Sequence, residues 1–174
     1  MADTLRYRLV DSPLGTLLLV SDGRALVGLY VADHEKARPV EPAWLKAGEG
    51  DDAVLDVAAR ELREYFAGDR EAFDVPVRFE GTEFQASVWR ALRDIPFGET
   101  ISYGELARRI GRPRAVRAVG LANGRNPVSV IVPCHRVIGA DGSLTGYGWG
   151  TDRKLWLLEH ERRRAPAFCG SPSS

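Results

Sequence analysis

The sequence predicts a mixed α/β protein in two parts, an antiparallel sheet with one helix followed by a mostly helical half built around a helix-turn-helix. Three observations carry that expectation. Short apolar runs separated by turn residues open the chain, one long stretch near residues 51–67 repeats at helical spacing, and short helical patterns broken by glycine and proline follow residue 81. The composition shifts near Gly81, which sets the expected units at 1–80 and 81–164, with 165–174 as a flexible tail.

Leu5–Asp11 alternates as a strand, with Leu5, Tyr7 and Leu9 on one face. Ser12-Pro13-Leu14-Gly15 is turn chemistry, Thr16–Ser21 is a second strand, Asp22-Gly23 is a hairpin signal and Ala25–Val31 is a third strand. Residues 34–50 lack a period and read as a loop pinned by Trp44 and Leu45. Asp51–Ala67 reads as a helix capped by Asp51 or Asp52 and closed by Gly68, with Val54, Leu55, Ala58, Leu62, Tyr65 and Phe66 at helical spacing. Phe73–Phe79 reads as an edge strand because it carries Pro76. Thr82 caps a helix Glu83–Asp94.

Ser102-Tyr103-Gly104-Glu105 is a capping-box pattern opening a helix to about Ile110. Gly111-Arg112-Pro113 breaks it, and Pro113–Asn123 forms the next helix, ended by Gly124. Two short helices around a glycine-containing turn match a helix-turn-helix, and an ordinary helical hairpin fits the same pattern. The stretch Arg114–Gly120 offers small side chains and two arginines three apart, with no Asn or Gln to read base edges. Such a smooth helix suits close, shape-based docking on a duplex.

Val128–Val132 reads as an apolar strand that Pro133 stops, leaving Cys134, His135 and Arg136 at its end. Taken alone, the thiol is either a buried structural cysteine or one activated by neighbouring positive charge. Gly146, Gly148 and Gly150 alternate with Tyr147 and Trp149 in a loop that either approaches a flat ligand or simply flanks two core aromatics. A last helix, capped by Thr151 or Asp152, runs to about Arg163, with Leu155, Trp156 and Leu158 inward. Glu161 near its C-terminus opposes the helix dipole, so it is either exposed or faced by a cation.

The chain has 174 residues, a formal net charge of zero and an apolar fraction of 44%. No apolar run approaches the roughly eighteen residues of a membrane span. The N-terminus has no secretory pattern, and the two cysteines, Cys134 and Cys169, make no disulfide framework. A cytoplasmic, monomeric protein is the expectation. Neutrality hides a segregation. Residues 1–83 carry ten Lys/Arg against seventeen Asp/Glu, and the remainder carry fourteen against seven. No acidic residue falls between Leu106 and Ala140, where Arg108, Arg109, Arg112, Arg114, Arg117, Arg125 and Arg136 lie. Such a block points to a polyanion partner unless the acidic half neutralises it.

The run Asn126-Pro127-Val128-Ser129-Val130-Ile131-Val132-Pro133-Cys134-His135-Arg136-Val137 strongly resembles the acceptor-cysteine motif of the O6-alkylguanine-DNA alkyltransferases, and the likeness extends from about Phe84 to Glu161. The N-terminal half is similar in layout to the family's ribonuclease-H-like domain, and the C-terminal half to its winged helix-turn-helix domain. The resemblance implies repair of double-stranded DNA carrying O6-alkylguanine, with alkylated thymine left open as a substrate. It implies base flipping and a single irreversible transfer to Cys134, without a cofactor or metal. By the same resemblance, Cys134 attacks, His135 reaches the thiol through a water, Glu161 orients His135, and Tyr103 protonates the departing guanine. Asn126 holds the cysteine turn. Arg117 fills the gap in the stack, and Arg114, Ala115, Ala118, Gly120, Arg125 and Tyr103 face DNA. Val137, Tyr147 and Gly148 line the base pocket, with Gly148 standing where relatives often carry a small polar residue. Competing classes are a lesion binder lacking the acceptor thiol, a regulator with an added domain, and a thiol protease or redox enzyme. Cys134 argues against the first, chain length against the second and the arginine block against the third.

Overall fold

The run LLLV in the second strand explains the layering of the N-terminal half. A computed structural model describes residues 4–34, 37–144 and 146–164. In it β1 (Arg6–Val10), β2 (Leu17–Ser21) and β3 (Leu26–Val31) form an antiparallel meander. β2 is buried at every position. Leu17 and Leu19 enter the main core, while Leu18 and Val20 pack with Trp44 on the opposite face. A two-residue strand, β4 (Leu45–Lys46), pairs parallel to β1, giving the order β3-β2-β1-β4. Trp44 therefore pins the loop as expected, but Leu45 does not. It sits on the sheet edge, 53% exposed.

α1 (Ala53–Ala67) covers the main face of the sheet. Asp52 caps it by accepting the Leu55 N–H at 3.0 Å, and Gly68 closes it at φ 87°, in the left-handed region that glycine adopts without penalty. Its buried stripe is Val54, Leu55, Ala58, Glu61, Leu62 and Tyr65.

Phe73–Phe79 is not a regular strand. Only Val77 bridges to Leu26, through Leu26 N–H to Pro76 O at 2.8 Å and Arg78 N–H to Leu26 O at 3.0 Å. The reason is local: the Asp74 and Val75 N–H groups are taken by the Glu61 carboxylate, and Pro76 has none. Further along the same edge of β3, Leu29 N–H donates to Pro127 O at 2.9 Å and Val128 bridges Leu29. The outer edge of the sheet thus anchors the segment that leads to Cys134.

α2 (Glu83–Leu92) begins with a complete capping box between Thr82 and Gln85. β5 (Ile101–Ser102) pairs parallel with β6 (Val137–Ile138) and leads into α3 (Tyr103–Arg109). Ser102 caps α3, but the box is only half formed, because the Glu105 carboxylate turns to Arg108 and Arg109 instead. α4 (Val116–Gly124) starts three residues later than expected. Pro113 and Arg114 form a turn, and Ala115 at the N-cap offers no side-chain acceptor. α5 (Thr151–Arg164) buries Lys154, Leu157, Leu158, His160 and Glu161, whereas Leu155 is 43% exposed. Leu158 is buried and Trp156 packs against the core as expected, so only Leu155 turns outward. One apolar core runs through both halves, from Leu17 and Leu55 to Trp89, Val132 and Leu157.

Candidate active site and nucleic-acid interface

The expected strand Val128–Val132 is instead a buried doubled-back loop. Ile131 N–H returns to Ser129 O at 3.0 Å and Val132 N–H to Val128 O at 2.9 Å. Val130 takes φ 74°, an unfavourable region for a β-branched residue that only over-determined surroundings maintain. Asn126 provides much of that constraint. Its Oδ1 accepts Val128 N–H at 3.0 Å and its Nδ2 donates to Val132 O at 2.7 Å. Pro133 then leads into a single 3₁₀ turn, Cys134–Arg136.

Cys134 is 2% exposed, with Sγ 3.7 Å from Ser129 Oγ. Burial pushes its thiol up, opposed by hydrogen bonds from Asn126 and Ser129 and by the charge of Lys154. Beside it, His135 Nε2 lies 2.7 Å from Glu161 Oε2, and His135 Nδ1 has no hydrogen-bond partner among the described residues. Burial pulls His135 down more strongly than Glu161 lifts it. Both shifts favour the uncharged forms. The expected activation by neighbouring positive charge is outweighed by the cost of desolvating both charged forms.

Glu161 is 1% exposed and collects five donors. Oε1 accepts Arg136 Nε at 2.8 Å and Gly98 N–H at 3.2 Å. Oε2 accepts His135, Arg136 Nη2 at 3.0 Å and Tyr65 Oη at 2.6 Å. Burial opposes ionisation, but His135 and Arg136 outweigh it and hold the carboxyl well below the usual range. Arg136 is thus the cation facing the end of α5.

Tyr103, the first residue of α3, is half-buried. Burial and the nearby Cys134 raise its hydroxyl, while a hydrogen bond from Asn123 works the other way. Its ring passes Gly120, where a Cβ would lie 3.7 Å from Tyr103 Cδ1, and its hydroxyl lies where a Cβ on Gly146 would reach within 2.9 Å. Tyr147 is buried, and Gly148 rides against α4, where a Cβ would meet Gly124 O at 3.1 Å. The Val137 carbonyl accepts Lys154 Nζ at 2.6 Å.

Four contributors escaped the sequence reading: Tyr65, Asn123, Ser129 and Lys154. Asn123 Nδ2 donates to Cys134 O at 3.3 Å. Lys154 is fully buried, with Nζ 5.8 Å from the Tyr103 ring and 6.0 Å from the Tyr147 ring. Burial lowers it to about 8. A signal for it existed, since Lys154 and Glu161 lie two turns apart on the stripe that also holds Leu157 and Leu158.

The arginine block divides in two. Arg108 and Arg109 pair with Glu105 inside α3, and Arg136 with Glu161. Arg112, Arg114, Arg117 and Arg125 are exposed and make no ion pair among the described residues. The acidic half is occupied with its own cations, in Arg8–Asp56, Arg70–Glu61 and Arg78–Asp22. It leaves α4 positively charged. Val116, Arg117, Ala118, Leu121 and Arg125 are all exposed there, while Ala115 is half-buried. Among the described residues no group of three His, Cys, Asp or Glu side chains could hold a metal ion. No helix of the described residues is long and apolar enough to cross a membrane. Cys169 lies outside the described residues.

A charged helix-turn-helix packed against a buried cysteine with an imidazole–carboxylate pair behind it defines a class, a DNA-binding protein that carries its own nucleophile. Residues 5–79 match the 6-O-methylguanine DNA methyltransferase ribonuclease-like domain, and residues 83–163 match the DNA binding domain of the same family. The chain belongs to the 6-O-methylguanine DNA methyltransferase family. It is 50% identical over 163 residues to a methylated-DNA–protein-cysteine methyltransferase of Mycobacterium tuberculosis, covering 94% of this chain and 96% of that one. A protein of the same name from Methanosarcina acetivorans is 50% identical over 155 residues, covering 89% and 97%. The crystal structure of M. tuberculosis OGT in complex with DNA superposes with a TM-score of 0.83 at 49% identity, over 93% of this chain and 96% of that one.

Proposed function

We infer that the protein repairs duplex DNA bearing O6-alkylguanine by moving the alkyl group onto its own Cys134. The observation that carries this reading is the buried His135–Glu161 pair next in the chain to a cysteine whose carbonyl is held by Asn123 of α4, the second helix of the helix-turn-helix. The reacting carbon is buried in the base stack, so the base leaves the duplex before transfer, with Arg117 on the exposed face of α4 entering the gap. Arg114, Ala115, Ala118, Gly120 and Arg125 lie along the docked surface. Cys134 is 2% exposed, and Val137, Tyr147 and Gly148 border the guanine that reaches it.

In the displacement the S–C bond forms as the bond from carbon to guanine O6 breaks. His135 takes the thiol proton at Nδ1 through a water, and Glu161 stabilises the imidazolium. Tyr103 gives a proton to the purine, which leaves neutral, and Lys154 offsets the phenolate that remains. Nucleophile, base and acid all come from the chain, so no cofactor enters. The thioether has no route back, and each molecule acts once. The reading carries with it two units, 1–80 and 81–164, and a monomer working in the reducing cytoplasm.

Intact mass after incubation with methylated duplex tests the assignment. One added methyl is expected, mapped to the peptide around Cys134, and Cys134→Ser abolishes it while retaining duplex binding. Transfer that survives Cys134→Ser would sink the reading.

A further inference from the structure

Tyr65 belongs to the N-terminal helix, yet its hydroxyl ends on the carboxylate that orients His135, 96 residues away in sequence. It is completely buried. Its ring is boxed in by Phe66, Phe73 and Phe97 at centroid distances of 5.2, 5.4 and 6.2 Å. Its carbonyl is tied to His160 Nε2 at 2.8 Å. The hydroxyl therefore has one place to go. It shares Glu161 Oε2 with His135, at 2.6 Å against 2.7 Å. Donors on one oxygen divide the same negative charge, so each weakens the hold of the other.

We propose that Tyr65 is a positioning residue of alkyl transfer: from α1 it holds the Glu161 oxygen that also holds His135, and so sets how strongly the imidazole takes the thiol proton. The proposal rests on the repair reading and deepens it. It gives the N-terminal domain a part in the chemistry that its sequence motifs do not suggest. The other groups bearing on the pair are Arg136 from the 3₁₀ turn, the Gly98 N–H after α2, and Lys154, whose charge opposes protonation of His135. With Tyr65 removed, Arg136 still keeps Glu161 ionised and in place through two contacts. The carboxylate then binds the imidazolium more tightly.

The test is Tyr65→Phe in the full chain, which keeps the ring and loses only the hydroxyl. The His135 ring titration, followed by NMR in the free protein, moves upward by a few tenths to about one pH unit. The pH profile of transfer from methylated duplex moves with it, and duplex affinity stays unchanged. Incorporating 3-fluorotyrosine at position 65 makes the hydroxyl a stronger donor and moves both in the opposite direction. If His135 titrates alike in all three proteins, or if the rate falls equally at every pH, the proposal is overturned. Should the wild type fail to alkylate Cys134, the repair reading is lost, but the ring titration still decides for or against the coupling.

Discussion

At Glu161 a single carboxylate neutralises Arg136, orients His135 and joins two halves of the chain. Its folded ionisation is held below the ordinary range by His135 and Arg136 against the cost of burial. Its contribution to stability is therefore fully present above the unfolded carboxylate value of 4.5 and is lost as pH falls from there toward the depressed folded value. Glu161→Gln removes that acid-sensitive contribution and leaves Arg136 buried without a counter-charge, at a cost of about 3–5 kcal/mol. Denaturant unfolding measured between pH 7 and pH 3 should show the variant less stable at neutral pH, with a flatter acid limb. A parallel pair of curves would refute the assignment. Cys134, His135 and Arg136 stand out because they are adjacent; the helix dipole marks Glu161 as exposed or faced by a cation, and only the family resemblance links it to His135. By its spacing Tyr65 is only a core aromatic. Nothing in its spacing distinguishes a phenol aimed at a carboxylate from one that merely fills space.

The element that differs most from its sequence pattern is the loop before Cys134. Four apolar β-formers in five residues describe a strand, and the local preference is genuine. It is overridden because the outer edge of β3 is already engaged at Val77 and offers only one bridge, to Val128. The chain then turns back at Val130, and Asn126 supplies the partners a neighbouring strand would have given. Asn126→Ala strands two buried backbone groups, Val128 N–H and Val132 O. Each loss costs about 1–3 kcal/mol, so the variant should lose roughly 2–6 kcal/mol. Thermal unfolding reads the stability. The transfer rate should fall as well, because Cys134 N–H is tied to Val132 O at 2.8 Å and moves with it. Full stability in Asn126→Ala would show that Val130 is held by packing alone. By contrast α1, α2 and α3 were legible to within about two residues, since Asp52, Thr82 and Ser102 act locally as caps.

Across the whole molecule, charge is sorted while the core is shared. The acidic half satisfies its own arginines, and a continuous apolar core joins it to the basic half. The segregation was visible in the sequence, but which arginines stay unpaired was not, because Glu105 reaches Arg108 and Arg109 only once α3 has formed. Arg112, Arg114, Arg117 and Arg125 remain for a polyanion. If each of the four meets one phosphate, the logarithm of duplex affinity falls with the logarithm of salt at a slope of about −3.6. Under the proposed flipping role Arg117 is the exception, because a side chain inside the stack would not sit on a phosphate. The expected slope is then nearer −2.7, by the same relation of about −0.9 per phosphate. Arg114→Ala should reduce it by about 0.9, whereas Arg117→Ala should leave it nearly unchanged while slowing transfer from duplex more than from free alkylguanine. Fluorescence anisotropy across a salt series, with unmodified duplexes of differing sequence, measures the slopes. Equal changes in slope for the two variants would place Arg117 on the backbone and remove it from the flipping step.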